Sequence, residues 1–305
     1  MFKTCFMSDH SSGRGSAALQ PWIVVIFFIL SIAMGYPART TVAWASDACG
    51  EVIGVETHDG TTTRYSIAHP KNIPADAQQV ALVLLVGGGG ILNLDERGCA
   101  RALTGNSLVR SIPHFLDAGF VTVLVDAPSD HLGGDGLAGF RTEARHAEDL
   151  GHVIANVRAR TKASIWLVGT SRGTISAVNA AARLSGASAP DGVVLTSALM
   201  AGQIGARKPW VADTVFDLPL ESIRLSLLVI GHSADSCVRS PANLMSRIVE
   251  RTKGSRQQVV TVEGGAGGAG KGGIEACEGK SPHGFVTQEA EVVAGIARFI
   301  RGGRF

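Results

Sequence analysis

The sequence predicts an α/β protein, with a mostly parallel central sheet flanked by helices on both faces. Three observations predict it. Apolar runs recur along the chain: "QQVALVLLV" at 78–86, "FVTVLVDAP" at 120–128, "ASIWLVG" at 163–169, "GVVLTSAL" at 192–199 and "LSLLVIGH" at 225–232. They do not alternate with polar residues, as strands covered on both faces need not. Helical patterns stand between them, and 305 residues at 45% hydrophobic and 18% charged suit one large core.

The elements follow in order. Residues 1–45 read as a secretory signal peptide. Lys3 and Arg14 precede the apolar run Trp22 to Met34, Pro37 breaks any helix, and Ala43-Trp44-Ala45 has the small-x-small pattern that signal peptidase cuts. The run is shorter than the roughly 20 residues that span a bilayer. A secreted or periplasmic protein with no stable membrane span after cleavage is expected. An uncleaved anchor is the alternative, because the stretch ahead of the run is long.

The rest, 46–305, reads as one domain. "EVIGVET" (51–57) and "TTRYSIA" (62–68) are strands, with His58-Asp59-Gly60 as their hairpin turn. Residues 141–160 read as a helix, with Ala144, Leu150, Val153, Ile154 and Val157 recurring near period 3.6. "QQVVTVEGG" (257–265) is the last strand and 287–301 the closing helix. The glycine-rich stretch 264–273 nearly matches a phosphate loop. Gly272 stands where that motif needs Ser or Thr, and no helix follows, so a surface loop is expected.

Charge and cysteines exclude other classes. The formal net charge is +2, and losing Lys3, Arg14, Arg39 and Asp9 with the leader makes it zero. A neutral domain has no electrostatic footprint for nucleic acid. Cys49, Cys99, Cys237 and Cys277 remain after the leader, an even number in an oxidising compartment. None sits at zinc-ligand spacing, so no metal site is expected, and no cofactor is implied.

The chemistry starts at "WLVGTSRGTISA", 166–177. Gly-x-Ser-x-Gly is weak by itself in a chain with 38 glycines. Its context is specific: a strand enters and a helix leaves, as a nucleophile elbow requires. The strained turn, normally at φ > 0, exposes Ser171 Oγ at the carboxyl edge of the sheet. Gly169 and Gly173 give the strand and helix room to pass, and Ser176, Ala177, Ala180 and Ala181 let the helix pack close.

A serine hydroxyl needs a base, and the base an orienting acid. On this architecture both follow the serine. Asp235 lies just past the strand "LSLLVIG", with Asp213, Asp217 and Glu263 as alternatives. His283, in "SPHGF" before the last helix, is preferred as base to His232, which shares a strand end with Asp235. The oxyanion donors are expected to be the backbone N–H of Arg172 and one of Gly88, Gly89 and Gly90.

These residues together resemble the α/β-hydrolase family: a strand followed by four glycines, then "GTSRG", then Asp after a later strand, then His before the last helix. The resemblance covers most of 50–301. It implies Ser171 as nucleophile, His283 as base and Asp235 as acid. Many members carry a His before the oxyanion glycines, where this chain has Val86 or Gly87. The insertion at 200–224, where lipases often carry a lid, is short, so little or no lid and a small-molecule ester or amide substrate are expected. The reading is a serine hydrolase cleaving small esters through an acyl-enzyme. A peptidase or acyltransferase on the same triad, or a catalytically silent ligand-binding member, is the alternative.

If Asp235 and His283 meet, their loops run side by side. That brings Cys237 and Cys277 within disulfide reach and leaves Cys49 to pair with Cys99.

Overall fold

A computed structural model of the chain describes residues 49–71, 78–265 and 272–305. The expected leader lies outside the described residues, as does most of the glycine-rich stretch.

Eight strands form one sheet: β1 (Glu51–Glu56), β2 (Thr62–Ala68), β3 (Val80–Leu85), β4 (Val121–Pro128), β5 (Ser164–Thr170), β6 (Gly192–Thr196), β7 (Ser226–His232) and β8 (Gln257–Val262). Their spatial order is β1-β2-β4-β3-β5-β6-β7-β8. β1, β2 and β4 pair antiparallel, and every neighbour from β4 through β8 pairs parallel. The hairpin turns at His58–Gly60, where Asp59 takes a left-handed φ of 42°.

The helices are α1 (Ser107–Asp117), α2 (Ala144–Thr161), α3 (Gly173–Arg183), α4 (Met245–Arg251) and α5 (Glu289–Ile300). The period-2 alternation of the strands decides which helix meets which side chain. Ala81, Val83 and Leu85 of β3 share a core with Leu150 and Ile154 of α2 and Ile175 of α3, and Ile248 of α4 extends that core beside β7 and β8. Leu82 and Leu84 face the other way, onto Phe115 of α1 and Val293, Ile296 and Phe299 of α5. Both faces are therefore dry, which explains why these strands are apolar throughout.

Two details differ from the sequence reading. α1 was not anticipated, because Pro113 stands in its middle, although Leu108, Ile112, Phe115 and Leu116 recur at helical spacing; Asn106 caps it by accepting from Leu108 N at 3.0 Å. α2 begins three residues later than expected. Ala144 is exposed, and the inward positions of its first turns are His146 and Ala147.

The sheet's carboxyl edge is where the strands deliver their chemistry. In register, Leu85 lies beside Gly169, Thr170 beside Thr196 and Thr196 beside Ile230. The segments after β3, β5, β6 and β7 thus leave the sheet at one level. β3 and β5 are neighbours although β4 falls between them in sequence, so the connections diverge there and leave a crevice. Segment 200–224 is no helical lid: it consists of three short turns, with Val215, Leu218, Leu220 and Ile223 in the core.

Candidate active site

Ser171 follows β5 directly and has φ = 50°, one of few non-glycine residues in the left-handed region. Its N–H donates to Thr196 O at 3.0 Å, and its carbonyl accepts from Thr174 N at 3.0 Å in the first turn of α3. The strained conformation is held from both sides. The glycines do what close passage demands. A Cβ on Gly173 would stand 1.9 Å from Leu85 O, and one on Gly169 would stand 2.7 Å from Gly173 O. A Cβ on Gly87 would meet Ser171 Cβ at 2.8 Å, so the loop after β3 is pressed against the serine.

His283 and Asp235 lie buried in contact. His283 Nδ1 is 2.9 Å from Asp235 Oδ2, with the two side chains 3% and 2% exposed. Beside a carboxylate Nδ1 carries the proton, which leaves the lone pair on Nε2. Nε2 is buried and has no hydrogen-bond partner. Asp235 Oδ1 accepts from Cys237 N at 2.9 Å, and Ser240 Oγ donates to Asp235 Oδ2 at 2.8 Å while lying 3.0 Å from His283 Nδ1. His283 O accepts from Ser197 Oγ at 2.7 Å. The carboxylate thus has a partner on each oxygen, and the imidazole is fixed at both its ring and its backbone.

Two of the other candidates, His232 and Asp217, are occupied elsewhere, and Glu263 is exposed. His232 Nε2 meets Gln288 Oε1 at 2.8 Å and its Nδ1 accepts from Ala234 N at 3.0 Å, so both ring nitrogens are bound away from Ser171. Asp217 closes a capping box with Thr214. Burial pushes the Asp213 carboxyl above its ordinary range despite the nearby Arg172. Among the glycines, Gly90 N donates to Gly87 O at 3.2 Å, and Gly90 packs on Leu137 and Arg141. Gly88 and Gly89 line a cavity with Ser171 and Arg172.

Two cavities open on Ser171. One, of about 820 Å³, runs past Arg172, Trp210 and Arg239. The other, of about 400 Å³, is lined by Asn106, Ser107 and His283. Segment 200–224 contributes a wall to the first. The Trp210 ring lies 3.8 Å from the Arg172 guanidinium, and its Nε1 donates to Asp135 Oδ2 at 3.1 Å. Cys237 is bonded to Cys277 and Cys49 to Cys99, as expected from sequence.

Sequence reasoning missed Ser240 and Arg141. Ser240 lies five residues past Asp235 with no motif to mark it. Arg141 is 1% exposed beneath the glycine loop, with Nη2 donating to Val86 O at 3.1 Å and to Gly88 O at 3.4 Å. Burial first, then the neighbouring Arg172, lower its pKa to about 9. It sat at the expected start of a helix, where an arginine reads as solvent-facing.

No protein-family model matches the sequence, and no curated protein matches it. Solved structures do. An esterase from Pyrococcus furiosus superposes with a TM-score of 0.55 at 13% identity, covering 82% of this chain and 91% of its own. A serine hydrolase homologue from Coxiella burnetii gives 0.52 at 16% identity, covering 82% and 97%. A dienelactone hydrolase from Anabaena variabilis gives 0.53 at 14% identity, covering 83% and 97%. With its strand order, its crossover point and its strained serine after β5, this chain has the α/β-hydrolase fold.

Proposed function

We propose that this protein is a serine hydrolase that cleaves small esters through an acyl-enzyme. The observation that carries the reading is the pairing of a left-handed Ser171 with a buried His283 whose Nε2 lacks a partner, both lining one cavity. His283 Nε2 takes the Ser171 Oγ proton as the oxygen attacks the ester carbonyl. Asp235 holds the ring in the tautomer that makes this possible and stabilises the imidazolium that forms. The imidazolium then protonates the departing alcohol. A water, activated by the same nitrogen, releases the acid and restores Ser171.

The developing oxyanion needs donors fixed in advance. The N–H of Arg172, at the N-terminal cap of α3, is one. Gly88 or Gly89 supplies the other, since the Gly90 amide is bonded to Gly87 O. Arg141 holds the carbonyls of this loop and so fixes where its amides point. The similarity to esterase and hydrolase structures supports the reaction class.

The test is hydrolysis of a short p-nitrophenyl ester. His283→Ala is expected to lower kcat by several orders of magnitude, as loss of a triad base does. His232→Ala is expected to keep far more activity in whatever fraction folds. The reverse order would reassign the base.

A further inference from the structure

The larger cavity beside Ser171 carries two guanidiniums in its wall, Arg172 and Arg239. Arg239 is 8% exposed; its Nε donates to Ala201 O at 2.5 Å and its Nη2 to Val211 O. Arg172 Nη2 donates to Ala138 O at 3.0 Å, and its Nε is buried without a partner. Backbone carbonyls and, for Arg172, the Trp210 ring therefore hold both groups, and neither brings a full compensating charge.

Among the described residues neither guanidinium forms an ion pair. Asp213 attracts both and Asp135 attracts Arg172, in each case only at longer range. The Asp135 carboxylate is already taken by Lys208 and Trp210. Glu278 also lines the cavity and is itself engaged. Burial, followed by repulsion from Arg239, lowers the Arg172 pKa to about 10. Two like charges, largely withdrawn from water and with no carboxylate in contact, are unfavourable until an anion joins them. Much of the remaining wall is apolar, with Leu199, Trp210 and Val211 and the exposed Val238 and Ile274 at 55% and 67%, and Gln203 among them.

We propose that this cavity binds a substrate arm that is apolar along its length and ends in a carboxylate held by Arg239 and Arg172. The preferred substrate is then an ester that carries a free acid on one arm. This rests on reading Ser171 as the nucleophile. Guanidinium suits the task because its planar donors match a carboxylate and stay charged even when buried.

The test compares matched esters. For the acyl arm they are p-nitrophenyl hexanoate and mono-p-nitrophenyl adipate; for the alcohol arm, phenyl acetate and 4-acetoxybenzoate. The acid-bearing member of one pair is expected to show kcat/KM at least about tenfold higher, the size of one charge-assisted hydrogen bond. Arg239→Gln is expected to bring that ratio close to one. Arg239→Lys disturbs the same backbone bonds but keeps the charge, and is expected to retain a preference. A wild-type ratio near one in both pairs overturns the proposal, and so does a preference that survives Arg239→Gln. If the neutral esters are not hydrolysed either, the assignment of Ser171 as nucleophile fails instead.

Discussion

Ser240 shows how much a single hydroxyl can decide. It donates to the same Asp235 oxygen that His283 uses, and it is buried with them. Without it that oxygen loses a donor, and the His283–Asp235 pair loses a constraint on its orientation. Ser240→Ala is expected to lower kcat about tenfold with little change in KM, since a hydrogen bond to a charged group contributes about 1.5–3 kcal/mol. Ser240→Thr, which keeps the hydroxyl, is expected to recover part of the rate. An unchanged kcat in Ser240→Ala would remove Ser240 from any positioning role. Ser171, Asp235 and His283 could be proposed from the sequence because each sits at a punctuation point: a glycine-flanked turn, a strand end, a loop before a helix. Ser240, Arg141 and Arg239 were not. Their roles come from neighbours far away in the chain, and an isolated Ser or Arg has no local pattern to reveal that.

At the scale of elements, two loops must keep register for the proposed acid and base, Asp235 and His283, to meet. The loop after β7 carries Asp235 and Cys237; the segment ahead of α5 carries Cys277 and His283. The Cys237–Cys277 bond joins them, and Cys237 also pairs with Gly273 in an isolated parallel bridge. The bond therefore acts where the approach to His283 is richest in glycine and most costly to order. Replacing both cysteines by alanine is expected to reduce kcat more than it reduces the cooperativity of unfolding, read by comparing steady-state rates with urea curves. A full rate in the double-alanine variant would show that packing alone aligns the loops. The pairing could be anticipated from the positions of the cysteines relative to Asp235 and His283. The strands were legible for a related reason, since burial on both faces leaves continuous apolar runs. α1 was missed on account of Pro113 in its middle, although Leu108, Ile112, Phe115 and Leu116 recur at helical spacing.

The whole molecule carries a second buried polar cluster below the glycine loop. Ser176 Oγ accepts from Arg141 Nη1 at 2.6 Å and lies 2.8 Å from His146 Nε2. Burial, reinforced by Arg141, lowers the His146 pKa from 6.5 to about 3. The unfolded chain takes up a proton near 6.5, which the folded chain refuses until about 3. Stability from this source is complete above 6.5 and is lost as pH falls toward 3. His146→Gln, which keeps an acceptor for Ser176, is expected to flatten this dependence. Between pH 7 and 5 the wild type is expected to lose about 2 kcal/mol more than the variant in urea unfolding. Equal losses would show that His146 is protonated in the folded protein. This cluster was not legible in the sequence, because a histidine near the start of a charged helix gives no sign that it faces inward.

The central claim is that Ser171 is an activated nucleophile. Labelling the folded protein with a fluorophosphonate, followed by peptide mass spectrometry, tests it without knowledge of the substrate. A single adduct on Ser171 is expected, absent in Ser171→Ala and strongly slowed in His283→Ala. An unlabelled wild-type protein, or an adduct on another residue that persists in Ser171→Ala, would contradict it.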